Sequence, residues 1–121
     1  MVCQGVCGAQ GGNYLYQYMQ NAAVATGNGT AIETTGAANG ACSTLAMQVT
    51  GITSATITFE ATIDGTNWVA VLATNITSGT AATTATANGV YRLDCSGLAS
   101  VRARISAWTS GTITVTGVAT A

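Results

Sequence analysis

Between residues 56 and 64 the side chains alternate without a break. Ile57, Phe59, Ala61 and Ile63 take one parity, and Thr56, Thr58, Glu60 and Thr62 take the other. A period of two sends successive Cβ atoms to opposite faces of a strand and cannot build the apolar stripe of a helix. The same beat recurs along the chain. Leu45, Met47 and Val49 alternate within residues 43–50, and Tyr91, Leu93 and Cys95 within residues 89–95. Val101, Ala103, Ile105 and Ala107 oppose Arg102, Arg104 and Ser106, and Ile113 and Val115 close the series within residues 112–116. Residues 68–72 add a short continuously apolar run. Asp64-Gly65-Thr66-Asn67 is a hairpin signal, because glycine supplies positive φ while Asp and Asn bond their own turn. Ser110-Gly111 marks a second turn. Weaker strand signals lie at residues 22–26, 30–35 and 81–86. Strands at such short intervals, punctuated by Gly and Asn, predict an all-β fold: a single antiparallel β-sandwich or jelly-roll-like domain over residues 21–121.

Residues 1–20 differ from the rest and read as an N-terminal arm. Met1–Gly12 is rich in Gly, and Asn13 then leads into Tyr14, Tyr16 and Tyr18. As a strand, this segment places the three tyrosines on one face. As a helix capped by Asn13, it aligns Leu15, Tyr18, Met19, Ala22 and Ala23. The Gly-rich lead-in opposes helix nucleation and favours the extended form. A third reading makes the segment the first strand of the sandwich.

Composition narrows the chemistry. Of 121 residues, 22 are Thr and 22 are Ala, and only 6% are charged, with 3 Arg, 4 acids, no Lys and no His. Three cations give no electrostatic footprint for nucleic acid, whose binding rests on neutralising phosphates, nor a polybasic patch for a membrane surface. No apolar run approaches the ~18 residues of a spanning helix. Without His, the commonest general base and metal ligand are missing. No enzyme activity, cofactor or metal is therefore expected. The opening Met-Val-Cys-Gln-Gly has neither a basic region nor an apolar core, so no secretory signal is expected.

The candidate sites are few. Cys3 and Cys7 form one C-x3-C pair, too little for a four-cysteine zinc site, but candidates for a disulfide if the protein meets an oxidising medium. Cys95 alternates inward and reads as a core residue. Glu60 and Asp64 lie four residues apart on one strand, about 13 Å between Cα atoms, beyond the usual reach of paired catalytic carboxylates. A calcium site at Asp64 and Asn67 would be poor in carboxylates. Arg92 is expected to pair with Asp94 or Glu60. Arg102 and Arg104, together on an outward face, either pair within the chain or meet carboxylates of a partner. Trp108 alternates onto that same face as an interface anchor, and Trp68 reads as core or rim. The interface candidates are thus Tyr14, Tyr16, Tyr18, Arg102, Arg104 and Trp108.

Residues 24–119 carry a wider likeness. Gly27-Asn-Gly-Thr-Ala, Thr56-Ile-Thr-Phe-Glu through Asp64-Gly-Thr-Asn-Trp, Gly89-Val-Tyr-Arg-Leu-Asp-Cys-Ser-Gly-Leu and Val101-Arg-Ala-Arg-Ile-Ser-Ala-Trp-Thr-Ser-Gly resemble a small all-β domain recurrent in structural proteins of tailed bacteriophages. That resemblance implies a head decoration (cement) protein or a fibre or tail module. Its partners would be the major capsid protein and copies of itself, as a homotrimer. It would be made in the host cytoplasm and end on the virion surface. In this reading, deleting residues 1–20 leaves a folded domain that no longer binds the shell. The Phe59-Glu60, Asp64-Gly65 and Trp68 segment also resembles galactose-binding jelly rolls, so a carbohydrate-binding or host-adhesion module is the alternative.

Overall fold

A computed structural model describes residues 14–36 and 40–120. Described elements are all strands: β1 (Tyr14–Ala23), β2 (Ile32–Glu33), β3 (Thr35–Gly36), β4 (Gly40–Ala41), β5 (Thr44–Thr62), β6 (Val69–Ala70), β7 (Ala73–Asn75), β8 (Ala81–Ala82), β9 (Thr84–Ala85), β10 (Gly89–Asp94) and β11 (Ser100–Thr120). Among these residues no helix is long and apolar enough to cross a membrane.

Two long strands organise everything else. β5 and β11 pair antiparallel from Ser100 opposite Thr62 to Thr120 opposite Thr44. Each merges two strands that the sequence presents as separate. The runs at residues 43–50 and 56–64 share one continuous strand, β5, which takes them in from Thr44 to Thr62, and the Ser110-Gly111 turn is an irregularity within β11. The ribbon creases in its middle, where the register shifts repeatedly between Ile105 and Thr114. Gly51 and Gly111 sit at the crease with φ of 83° and 121°, a region that favours glycine. Trp108 pins the crease by donating its indole N–H to Gly111 O at 3.0 Å.

The crease turns one nine-stranded sheet into two facing layers. In the first, the order is β1, the end of β11, the start of β5, β10, β7 and β8. In the second, β2, β6 and β9 flank the other halves of the same two long strands. Residues 73–85 carry the chain from β7 in one layer to β9 in the other. Leu45, Met47, Val49, Ile57, Phe59, Leu93, Val101, Ile105, Ile113 and Val115 form one buried core between the layers. Phe59 and Tyr91 meet across it with ring centroids 5.4 Å apart. The β-sandwich predicted from alternation is therefore present, built by folding a single sheet.

The helical reading of residues 15–23 is overturned. β1 is an edge strand that pairs Tyr14 with Thr120 and Tyr18 with Thr116. A bulge then makes Met19 and Gln20 consecutive buried residues, since an extra residue breaks the alternation. Met19 fills the space beside Gly117, where an added Cβ would lie 2.7 Å from its sulfur. Gln20 donates its side-chain N–H to Ala103 O at 2.9 Å and Gly27 O at 3.1 Å, tying β1 to the second layer. The expected arm thus overlaps the sheet in residues 14–20, and residues 1–13 lie outside the described residues. Deleting residues 1–20 would remove the buried Met19 and Gln20, so a test of an arm has to stop at residue 13.

Two side chains expected inward are exposed. Ile63 lies past the end of β5 and is 75% exposed. Ala107 follows the shift after Ile105, which reverses the parity of the strand. For the same reason Trp108 turns from the arginine face to pack against the core.

Candidate docking surface

The end of the sandwich where β5 stops and β11 begins collects the most exposed apolar side chains together with two of the three arginines. A rigid turn builds this end. Asp64 Oδ1 accepts from the backbone N–H of Thr66 and of Asn67, each at 2.8 Å, and Oδ2 accepts from Asn67 Nδ2 at 2.6 Å. Gly65, with φ of 82°, donates its N–H to Thr62 Oγ1 at 2.9 Å. The turn is the one the Asp-Gly-Thr-Asn sequence predicts, and it holds Ile63 outward. Beside it lies a shallow groove of about 360 Å³ lined by Ala61, Ile63, Val69, Val71 and Leu98. Val69 is 64% exposed, and Leu72 just beyond it is also exposed.

The carboxylate of Asp64 is thereby consumed by its own turn. Its backbone donors hold it well below the usual carboxylate range, and the Ser96 N–H lowers Asp94 in the same way. A depressed carboxyl stabilises the fold fully above its unfolded value, about pH 4. That contribution drains away as the pH falls through the folded value. Amide exchange at Thr66 and Asn67, corrected for intrinsic rates, is expected to stay level from about pH 7 to 5 and to accelerate well below pH 4. Asp64→Asn should lack that acid limb. A wild-type profile without one would show that the carboxylate does not hold the turn.

A cationic rim stands at the same end on the other face of these strands, because Val69 lies opposite Ala61 while Arg102 lies opposite Glu60. Arg102 faces Glu60 across the β5–β11 ladder. Its Nε lies 2.8 Å from Glu60 Oε1, and Arg104 Nε lies 3.1 Å from Oε2. Glu60 is buried, and each of its carboxylate oxygens accepts from one of these two guanidinium groups. Arg102 also stacks on Trp68, with its guanidinium carbon 4.1 Å from the ring centroid, a favourable cation–π geometry. Trp68 immediately precedes Val69 in the chain. The group keeps one net positive charge (two arginines, one glutamate), within a chain of net charge −1.

The sequence candidates are placed unevenly. Arg102 and Arg104 take the intramolecular pairing of the two considered, and both side chains remain partly exposed. Arg92 is exposed on β10, and the described ion pairs of Glu60 are with Arg102 and Arg104, not with Arg92. Tyr16 and Tyr18 are exposed on one face of β1, as the strand reading requires, with Tyr16 beside Ala46, Val90 and Val118. Tyr14 is in β1, paired with Thr120. Trp108 is half-buried and occupied by its bond to Gly111. Cys3 and Cys7 lie outside the described residues. Among the described residues, no group of three or more His, Cys, Asp or Glu could hold a metal ion. The groove residues Val69, Val71 and Leu98 were missed. Continuous apolar sequence reads as core, whereas both residues of the short strand β6 are exposed.

Comparison with known proteins agrees with this architecture. No curated protein matches the sequence. The crystal structure of SPBc2 prophage-derived protein YomS superposes with a TM-score of 0.78 at 22% identity, covering 91% of this chain and 95% of YomS. The crystal structure of PBSX exported protein XepA gives 0.82 at 17% identity, covering 91% of this chain but only 38% of XepA. At these identities the likeness speaks for the fold. The family described as XepA matches residues 15–119, from within β1 almost to the end of β11. That span takes in both layers, the crease and the groove end, so the chain belongs to the XepA family.

Proposed function

We propose that this protein is a phage-derived structural protein that works by surface contact rather than by catalysis. The observation that carries the reading is the groove end. Ile63 and Val69 stand exposed at the tip of the second layer, and Arg102 stacked on Trp68 lies at the same end on the other face of the β5–β11 ladder. Exposed apolar side chains together with Arg and Trp are the composition of protein–protein hot spots. Glu60, Asp64 and Asp94 are all engaged within the fold, which suits a binding surface better than acid–base chemistry. The prophage origin of YomS, and the exported character of XepA, support a place in or on a phage particle or outside the cell.

In its finer form the reading is a capsid decoration protein. A homotrimer at the virion surface would clamp contacts between major capsid subunits. Nearly uncharged Thr-rich faces suit such packing, because desolvating unpaired charge is the expensive step. The test is made on particles purified from the phage that encodes the chain. The protein is expected in them in stoichiometric amount, and in solution as a trimer by light scattering. An Ile63→Asp/Val69→Asp variant, altered only at exposed positions, should fold as judged by circular dichroism yet be missing from the particles. Particles without the wild-type chain, or with the variant at wild-type level, would overturn the proposal. A monomer in solution would remove the trimer.

A further inference from the structure

The described cysteines, Cys42 and Cys95, come from distant parts of the chain and meet in the core. They are 1% and 0% exposed, and both are free thiols. The β5–β10 ladder ends with Asp94 opposite Thr44. One step further, the Cys95 N–H donates to Ser43 O at 2.9 Å, and the Ser43 N–H is held by Thr120 O at 2.8 Å. Cys95 therefore lies opposite the residue that follows Cys42. Its thiol reaches the Cys42 carbonyl oxygen at 3.5 Å. Strand spacing and rise put a one-step diagonal at roughly 6 Å between Cα atoms, within the ~4.4–6.8 Å a disulfide spans. A regular strand would send the two side chains to opposite faces, but Cys42 precedes β5 and is buried in the same core cluster as Cys95. Cys42 is anchored in turn by its N–H to Thr34 O at 2.8 Å. Neither thiol takes part in the crease or the docking surface.

We infer that Cys42 and Cys95 form a latent disulfide site, closed when the folded protein meets a disulfide oxidant such as oxidised glutathione. In the first exchange one cysteine thiolate attacks a glutathione sulfur, forming a mixed disulfide and releasing one glutathione thiolate. The second cysteine then displaces the other glutathione. Both thiol protons pass to the two glutathione products, and the cysteines are oxidised as glutathione disulfide is reduced. Burial raises both thiols, and Cys95 is pushed up to about 11 by burial first and by a charge on Cys42 second. Few thiolates form while the site is closed, so exchange waits for local opening and the finished bond is shielded from reductants. The bond would pin the chain ahead of β5 to the end of β10 and close a loop spanning 53 positions. The inference goes beyond the proposed function and holds whatever partner the groove meets.

The experiment uses the full chain carrying Cys3→Ser and Cys7→Ser, incubated with oxidised glutathione near about pH 8.5, where free cysteine is half ionised. It is then unfolded in the presence of an alkylating reagent. Neither remaining cysteine should be labelled until a reductant is added, and peptide mapping should find Cys42 joined to Cys95. The melting midpoint should rise on oxidation by an amount on the order of 10 °C. Full alkylation of both thiols after incubation, a bond between two chains, or a midpoint that falls would overturn the inference. If the serine variant does not fold, the unsubstituted chain is mapped instead. There a Cys42–Cys95 link supports the site, and links from either residue to Cys3 or Cys7 overturn it.

Discussion

Gly51→Ala is expected to unfold the protein or to remove several kcal/mol of stability, a large part of the ~5–15 kcal/mol typical of a domain. Two costs combine. The backbone at position 51 has φ of 83°, where a non-glycine residue is disfavoured by roughly 1 kcal/mol. The added Cβ would also be driven into the carbonyl oxygen of Thr112 on the paired strand. That oxygen is backbone, so no rotamer change relieves the clash, and β5 and β11 would have to part at the crease that creates both layers. Gly65→Ala is the control. Its φ is 82° but nothing lies within 4 Å of the new Cβ, so its cost should stay near ~1 kcal/mol. Urea unfolding of the two variants separates the effects. Equal losses would mean that the glycines matter only for their backbone angle and that close approach at the crease does not.

The second large effect is Phe59→Ala, with an expected loss of about 3–5 kcal/mol. Phe59 is fully buried and is the largest of the fully buried side chains among the described residues. It also joins the layers through Tyr91, whose hydroxyl donates to Ala87 O at 2.8 Å. Truncation removes the ring and leaves a cavity between two sheets whose spacing is set by many other pairs, so the space cannot close. Ile63→Ala is the comparison, since an exposed side chain of similar apolar character should cost less than ~0.5 kcal/mol. Thermal unfolding followed by circular dichroism reads both. A Phe59 variant that melts with the Ile63 variant would show that the layers are not held by this contact.

Both predictions concern features that local sequence shows only in part. Glycine at 51 and 111 is visible as a break in apolar alternation, and the break reads naturally as a turn between separate strands. A turn and a crease use the same backbone conformation. What distinguishes them is whether the chain reverses or keeps its partner, and that depends on the opposite strand some sixty positions away. The same non-local dependence governs Glu60. Its alternation places it outward, yet it is buried because Arg102 and Arg104 arrive beside it from β11.

Alternation, turn chemistry and composition determined by themselves that this chain is all β, which side chains make the core of each regular stretch, and where the Asp64 turn falls. These are short-range properties, set by the pleat and by the φ preferences of Gly, Asp and Asn. Only the tertiary structure decided that two long strands fold over one another, that residues 14–23 complete the sheet, and that Cys42 meets Cys95. It also decided that Ile63, Val69 and the arginine rim share one end. Each of these follows from register, and a shift of a single residue exchanges the faces of a strand. Bulges at Met19 and around Ser106 make such shifts inside single strands. They cost so little locally that the packing of the opposite layer, and not the local sequence, selects them.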